Sequence, residues 1–374
     1  MKNATHFAAA LGLAMFASGA AIAAAASDTP PAAPVDGVIG YILTDEVWAV
    51  HQTPEGKQEC PEGLNAWGPR EQFKKMFVDD GKKRTLQEAQ LLWEAKIWHP
   101  EVGEDPFPFR APIGNISYGL NLDGRIDPDD QITPDGVKGI DNQLYRVIGC
   151  IEEFRGPTGI LHFLVNRYLR DFEFNRVLIE LSGVDDMVND PQVDVTILRG
   201  RDRMMADATG NDIIPGGSNR VDMRWGRKYV QRLTGKIVDG VLTTAPKDVK
   251  LPHAIFNSIP GEDEMKGAVF SLKLTAERAE GLLAGYSDID TWYRQLNHSW
   301  STHHQSYGQL SSPSIYKHMH RLADGYPDPK TGKNTAISSA LAVKFTQVFI
   351  QHPPKEVAGG GTERPVATSA KASQ

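Results

Sequence analysis

The sequence predicts a mainly β protein: a β-sandwich, jelly-roll or lectin-like, with a small helical N-terminal portion and short helices inserted near the C-terminus. Three observations carry this. Short runs alternate apolar and polar residues, as Val193, Val195 and Ile197 do, and as Phe270, Leu272 and Leu274 do against Val269, Ser271 and Lys273, so each run has one wet and one buried face. Gly, Pro and Asp separate the runs, which favours a sandwich. Helical periodicity is confined mostly to the stretch before residue 113. With 374 residues, 40% hydrophobic and 23% charged, the chain can bury a core, and collagen-like, fully disordered and multi-span membrane classes are excluded.

The elements follow in order. Residues 1–26 read as a signal peptide, with Lys2 ahead of an apolar, Ala-rich run and Ala24-Ala25-Ala26 before Ser27. No lipobox cysteine follows, and nothing later approaches about 18 consecutive apolar residues, so a secreted or periplasmic bacterial protein with no transmembrane segment after signal removal is expected. Residues 27–35 form a flexible Pro-rich leader. The N-terminal portion, 36–112, holds a strand at 38–51 and helices at 70–78 and 86–98, each with an apolar stripe. The sandwich spans 113–351, with strands at 113–120, 176–181, 193–198, 229–233, 269–274, 281–286 and 339–350. Residues 161–172 fit a helix or a buried strand, and 290–296 and 314–323 read as short helices. A disordered tail occupies 352–374.

The formal net charge of −7 argues against nucleic acid as a partner, because phosphate binding needs a basic face. In an oxidising compartment the two cysteines, Cys60 and Cys150, are expected to pair. Closing a loop of roughly 90 residues stabilises by about 4 kcal/mol in the chain-entropy model.

The sharpest local motif is Asn121-Leu122-Asp123-Gly124-Arg125-Ile126-Asp127-Pro128-Asp129-Asp130. Calcium wants six to eight oxygens, which short acidic side chains around a turn glycine supply. The segment resembles an EF-hand loop, with Asn121, Asp123, Gly124, Asp127 and Asp130 at positions 3, 5, 6, 9 and 12. It departs from that loop at position 1, Gly119, and at position 12, where an aspartate replaces the bidentate glutamate. A structural calcium held by Asn121, Asp123, Arg125, Asp127 and Asp130, completed by Asp135 and Asp141, is expected, with no helix-loop-helix. The alternative is a pair of solvated Asp/Asn/Gly turns.

Five histidines, His298, His303, His304, His318 and His320, fall close together and are the candidates for zinc or copper. Their spacing matches no zinc signature, so exposed polar histidines are the expected reading. Asp171 and Glu173 alternate with Phe172 and Phe174; on a strand both carboxylates share a face about 6 to 7 Å apart, a glycosidase-like spacing. This alternation resembles the acidic strand of secreted β-sandwich glucanases without their three-carboxylate motif, and no role is carried over. A solvated face over two core phenylalanines is the simpler reading. No nucleophile elbow, P-loop, dinucleotide fingerprint or paired C-x-x-C is present. The expectation is a non-catalytic, monomeric binding protein with a glycan or envelope partner. A glycosidase or metal-dependent hydrolase, and a subunit of a periplasmic assembly, are the alternatives.

Overall fold

Alternation along this chain builds one closed sheet. The computed structural model describes residues 34, 36–51, 59–64, 81–83, 110–156, 159–254, 261–296 and 312–354. The expected signal peptide, most of the leader, the helices at 70–78 and 86–98, residues His298, His303 and His304, and the tail from 355 lie outside the described residues.

The elements are β1 (Val38–Trp48), β2 (Gln131–Ile132), β3 (Lys138–Ile140), α1 (Leu144–Ile148), α2 (Ile160–Asp171), β4 (Val177–Ser182), β5 (Asp190–Arg199), β6 (Gly217–Arg220), β7 (Gln231–Val238), β8 (Val241–Thr244), β9 (Lys247–His253), β10 (Gly261–Leu274), β11 (Arg278–Asp288), α3 (Ile289–Leu296), α4 (Ser312–Arg321), β12 (Gly325–Pro327) and β13 (Asn334–Gln351). Neighbours pair antiparallel in the order β1-β4-β5-β7-β8-β10-β11-β13, and β13 returns to pair with β1 from Gly40↔Val348 to Trp48↔Leu341. β6 runs parallel to the end of β13, β9 lies beside the first half of β10, and β12 beside the start of β13. β2 and β3 form a separate hairpin.

The protein is therefore mainly β, as the alternation predicts, but its eight principal strands close like a barrel where two facing sheets were expected. Both architectures bury one face of every strand, so the period-2 pattern is the same in each; the long-range β1–β13 pairing decides. Segment 113–120 is not a strand and makes only the isolated bridges Ile116↔Ile132 and Leu120↔Asp141. Its backbone stitches other segments together instead, for example Ile113 N–H to Glu59 O at 2.6 Å and Ser117 N–H to Ile132 O at 3.0 Å. The ambiguous 161–172 stretch is α2. Its last turn is favoured by i,i+4 partners: Tyr168 stacks on Phe172 at 4.8 Å and Arg167 pairs with Asp171 at 3.3 Å.

Two cores result. Tyr41, Ile179, Val195, Leu233, Phe270 and Phe345 fill the barrel interior. A second core of Leu144, Ile148, Leu161, Ile289, Ile315 and Met319 joins α1, α2, α3 and α4 to the first residues of β13 through Ile337. Beside it Cys60 and Cys150 form the expected disulfide, their Cα atoms 5.8 Å apart. Among the described residues no helix is long and apolar enough to cross a membrane.

Bulges shift the strand phase at the helical end. In β1, Leu43 opposes Phe345 and Asp45 already opposes Lys344, so Thr44 is the extra residue. Before it Tyr41 and Leu43 face inward. After it Glu46 opposes Val343 and Trp48 opposes Leu341, both interior positions of β13, so Glu46 and Trp48 face inward. β10 shifts likewise between Lys266 and Val269, where Gly267 has φ +57°, a conformation glycine tolerates. Phe270, Leu272 and Leu274 point inward beyond that bulge, whereas Met265 and Asp263 do so before it.

Candidate functional site

The barrel is packed with apolar side chains until its helical mouth, where the innermost layer turns polar. β1 contributes Glu46. His253 ends β9, in the same phase as Val249 and Leu251; Asp263 lies on the adjacent stretch of β10, opposite Leu251. The two are diagonal neighbours on one face, and His253 Nδ1 is 2.9 Å from the Asp263 carboxylate. Glu46, His253 and Asp263 line a common cavity of about 80 Å³ whose walls are Trp48, Phe154, Trp292, Leu161, Val165 and Leu341. Trp292 meets Trp48 edge-on at 6.3 Å and stacks with Phe154 at 6.2 Å.

The mouth is fastened from behind. Asn166 of α2 accepts the Glu46 N–H through Oδ1 at 2.8 Å and donates Nδ2–H to the Glu46 carbonyl at 3.0 Å. One buried amide thus takes both backbone groups of the residue whose carboxyl faces the cavity. Beside it His162, which also lines the cavity, reaches Asp45 at 3.2 Å. Gln295 of α3 donates to the His253 carbonyl at 3.3 Å.

The apolar surroundings set the protonation states. Burial pushes the Glu46 carboxyl up to about 7; the His253 charge opposes this, and Asp263 and Asp45 add to it. Burial works against a charged His253, yet the charge and hydrogen bond of Asp263, helped by Glu46, push the imidazole up to about 9. At neutral pH the mouth therefore holds an imidazolium–carboxylate pair beside a carboxyl that exchanges its proton near pH 7. Such a group is suited to donating or accepting one hydrogen bond, or one proton, from a molecule in the cavity.

The sequence-predicted residues fall elsewhere. In the acidic loop, Asn121 Oδ1 accepts the Gly124 N–H at 2.6 Å and Asp123 accepts the Arg125 N–H at 2.8 Å while pairing with its guanidinium at 2.7 Å. Asp130 accepts the Asp127 N–H and Asp141 the Leu122 N–H, both at 2.6 Å. Asp135 sits at the β2–β3 turn. The structure brings Asp141 back to the loop: burial pushes its carboxyl up to about 6, the Leu122 N–H opposing and the charges of Asp123 and Asp130 adding. Among the described residues no group of three or more His, Cys, Asp or Glu side chains is arranged to hold a metal ion.

Of the histidines, His318 and His320 lie on α4. His320 is exposed, packs on Tyr316 at 4.4 Å and stands 3.9 Å from Asp290. The expected strand carrying Asp171 and Glu173 is not formed: Asp171 ends α2 and Glu173–Asn175 is a 3-10 turn. Both carboxylates nevertheless line one cleft, with Arg176, Arg201, Asp202, Arg203 and Arg220. Arg224 hydrogen-bonds Glu173 at 2.9 Å and holds its carboxyl below the usual range. A glycosidase pair needs one carboxyl held protonated, and the Glu173 environment acts in the opposite direction.

Reasoning from sequence missed Glu46, His253 and Asp263. One signal was available: in Val249-Lys250-Leu251-Pro252-His253 a histidine continues the apolar phase. No protein-family model matches the chain, and no curated protein or solved structure matches it.

Proposed function

We propose that the protein binds a small molecule at the barrel mouth, with an apolar portion among Trp48, Phe154 and Trp292 and one polar group against Glu46 and His253. The observation that carries this reading is the convergence of Glu46, His253 and Asp263, from three strands, in a cavity otherwise walled by apolar side chains. Ionisable groups in such a place cost stability unless paired, and an apolar pocket with a few convergent polar groups is the usual form of a ligand site. The cavity volume of about 80 Å³ is roughly half that of an apolar cavity that holds benzene, which suits a short alkyl group or the inserted edge of a ring. The Cys60–Cys150 disulfide supports an oxidising, secreted or periplasmic setting. A glycan would use the tryptophan faces of this same mouth, entering by the edge of one sugar ring or a substituent.

A second reading, acid–base catalysis on the bound molecule, is favoured by one specific feature, a Glu46 carboxyl that titrates near pH 7 beside an imidazolium. Ligand-observed NMR with a library of aromatic and short-chain alkyl fragments tests binding. Hits are expected on the native chain and lost in Val165→Trp, which fills the cavity, with the melting temperature of that variant retained. Hits that persist in Val165→Trp, or none at all, would contradict the proposal. Among hits, those whose affinity changes between about pH 6 and 8 report contact with Glu46.

A further inference from the structure

We propose that the second cleft, lined by Arg176, Arg201 and Arg203, binds a tetrahedral oxyanion, phosphate or sulfate. The strand directions place it at the same helical end of the barrel: Arg176 precedes β4, Arg201 and Arg203 follow β5, and Val177 pairs with Arg199.

Arg176 is only 2% exposed. Its guanidinium donates to the Arg201 carbonyl at 2.9 Å and, weakly, to the Arg170 carbonyl at 3.5 Å, and its Nε has no partner among the described residues. No carboxylate forms an ion pair with it there. Burial lowers its affinity for the proton; Glu173 and Asp202 attract its charge while Arg203 and Arg199 repel it. Arg201 and Arg203 are exposed on the cleft wall, and neither side chain makes an ion pair among the described residues.

The acids of the cleft are already taken. Arg220 holds Asp202 through Nε at 3.0 Å to both carboxylate oxygens and through Nη2, Arg224 holds Glu173, and Arg167 holds Asp171. Among the described residues, three guanidinium groups around the cleft form no ion pair of their own, one of them buried. A buried charge lacking its partner is costly, and an oxyanion supplies what is missing. Guanidinium groups match phosphate and sulfate oxygens in paired hydrogen bonds.

The segment presenting them is held in place. Asn219, 1% exposed, accepts the Arg201 and Asp202 N–H groups at 3.0 and 3.2 Å and donates to the Asp202 carbonyl at 2.9 Å. Gly200 allows this approach, since a Cβ there would stand 2.6 Å from Asn219 Oδ1. The backbone from which Arg201 projects is thus fixed before any ligand arrives, which lowers part of the cost of binding.

Calorimetric titration of the full chain with inorganic phosphate, inorganic sulfate and phenyl phosphate, in chloride buffer at about 0.15 M ionic strength, tests the proposal. One saturable site is expected, weakened about tenfold for each guanidinium removed in Arg201→Gln and Arg203→Gln. Both side chains are exposed, so these variants should melt as the native chain does. Tighter binding of phenyl phosphate would assign an esterified ligand; equal or tighter binding of the inorganic ions would assign the free ion. Glu46→Gln should leave the affinity unchanged. Absence of saturation with all three ligands, or equal affinity in the Arg201→Gln/Arg203→Gln double variant, would overturn the proposal.

Discussion

Two clefts open at the helical end of one barrel, and their walls are joined by a side-chain amide. The side-chain amide of Asn175, next to Arg176, donates Nδ2–H to the carbonyl of Ala254, next to His253, and accepts the Ala254 N–H through Oδ1, both at 2.7 Å. Yet their electrostatics are opposite. In the mouth a carboxyl is surrounded by tryptophan and aliphatic side chains, so burial raises it to about 7. In the arginine cleft a carboxyl of the same kind, Glu173, lies half in water under a guanidinium, and hydrogen bonding holds it down. The comparison teaches that neighbours decide what a carboxyl does more than its spacing along the chain. Two acids at a glycosidase-like spacing became surface ion pairs, and a lone glutamate behind a bulge became the titrating group.

The largest expected effect lies between the clefts. Arg199 is 2% exposed, pairs with fully buried Asp222 at 2.7 Å and lies 4.5 Å from the Phe174 ring centroid. Asp222→Ala should lower the unfolding free energy by about 3 to 5 kcal/mol, because it strands a buried guanidinium. Asp171→Asn, removing an exposed pair, should change it by less than about 1 kcal/mol. Urea denaturation of both variants measures the contrast; similar losses would break it.

The pH dependence comes next. A Glu46 carboxyl raised from 4.5 to about 7 binds more protons folded than unfolded, so stability should fall as pH rises between those values. His253, raised from 6.5 to about 9, contributes stability that is complete below its unfolded value and lost as pH rises through the folded one. Both act in the same direction, so the melting temperature should decline from about pH 5 to pH 9. Glu46→Gln should stabilise the chain above pH 7, by about 1 to 3 kcal/mol, and flatten the lower half of that decline. An unchanged profile would contradict the burial of this carboxyl. Asp263→Asn sharpens the same point: the His253 imidazole, losing its ion-pair partner, should titrate well below its native value, as proton NMR of its ring would show.

A smaller effect belongs to the acidic loop. Calcium there would relieve the repulsion that Asp123 and Asp130 exert on Asp141. Weak binding at tenfold excess over its dissociation constant would add about 1.4 kcal/mol, lost in Asp141→Asn; calcium without effect on melting would leave the loop as hydrogen-bonded turns.

The barrel was partly legible in the sequence because interior positions of β5 and β10 alternate cleanly. Its closure was not, since nothing local in Gly40 or Val348 announces their pairing. The mouth was hidden for a sharper reason. Continued with period 2 from Tyr41 and Leu43, the inward face reaches Asp45 and Val47, and Glu46 reads as solvent-facing; one bulge residue, Thr44, reverses this. Likewise Leu274, Leu272 and Phe270 extrapolate to Glu264 and Glu262, whereas the bulge at Gly267 turns Asp263 inward. The disulfide was readable because the chain has two cysteines, which leave one pairing once a secreted setting is expected.

Carbon-13 NMR of the Glu46 side-chain carboxyl, assigned by comparison with Glu46→Gln and followed across about pH 3 to 9, addresses the mouth most directly. A midpoint near 7, shifted when Asp263 is replaced by Asn, is the expected result. A midpoint near the ordinary 4.5 would mean that the carboxyl is solvated, and that the bulge in β1 does not deliver it into a dry cavity.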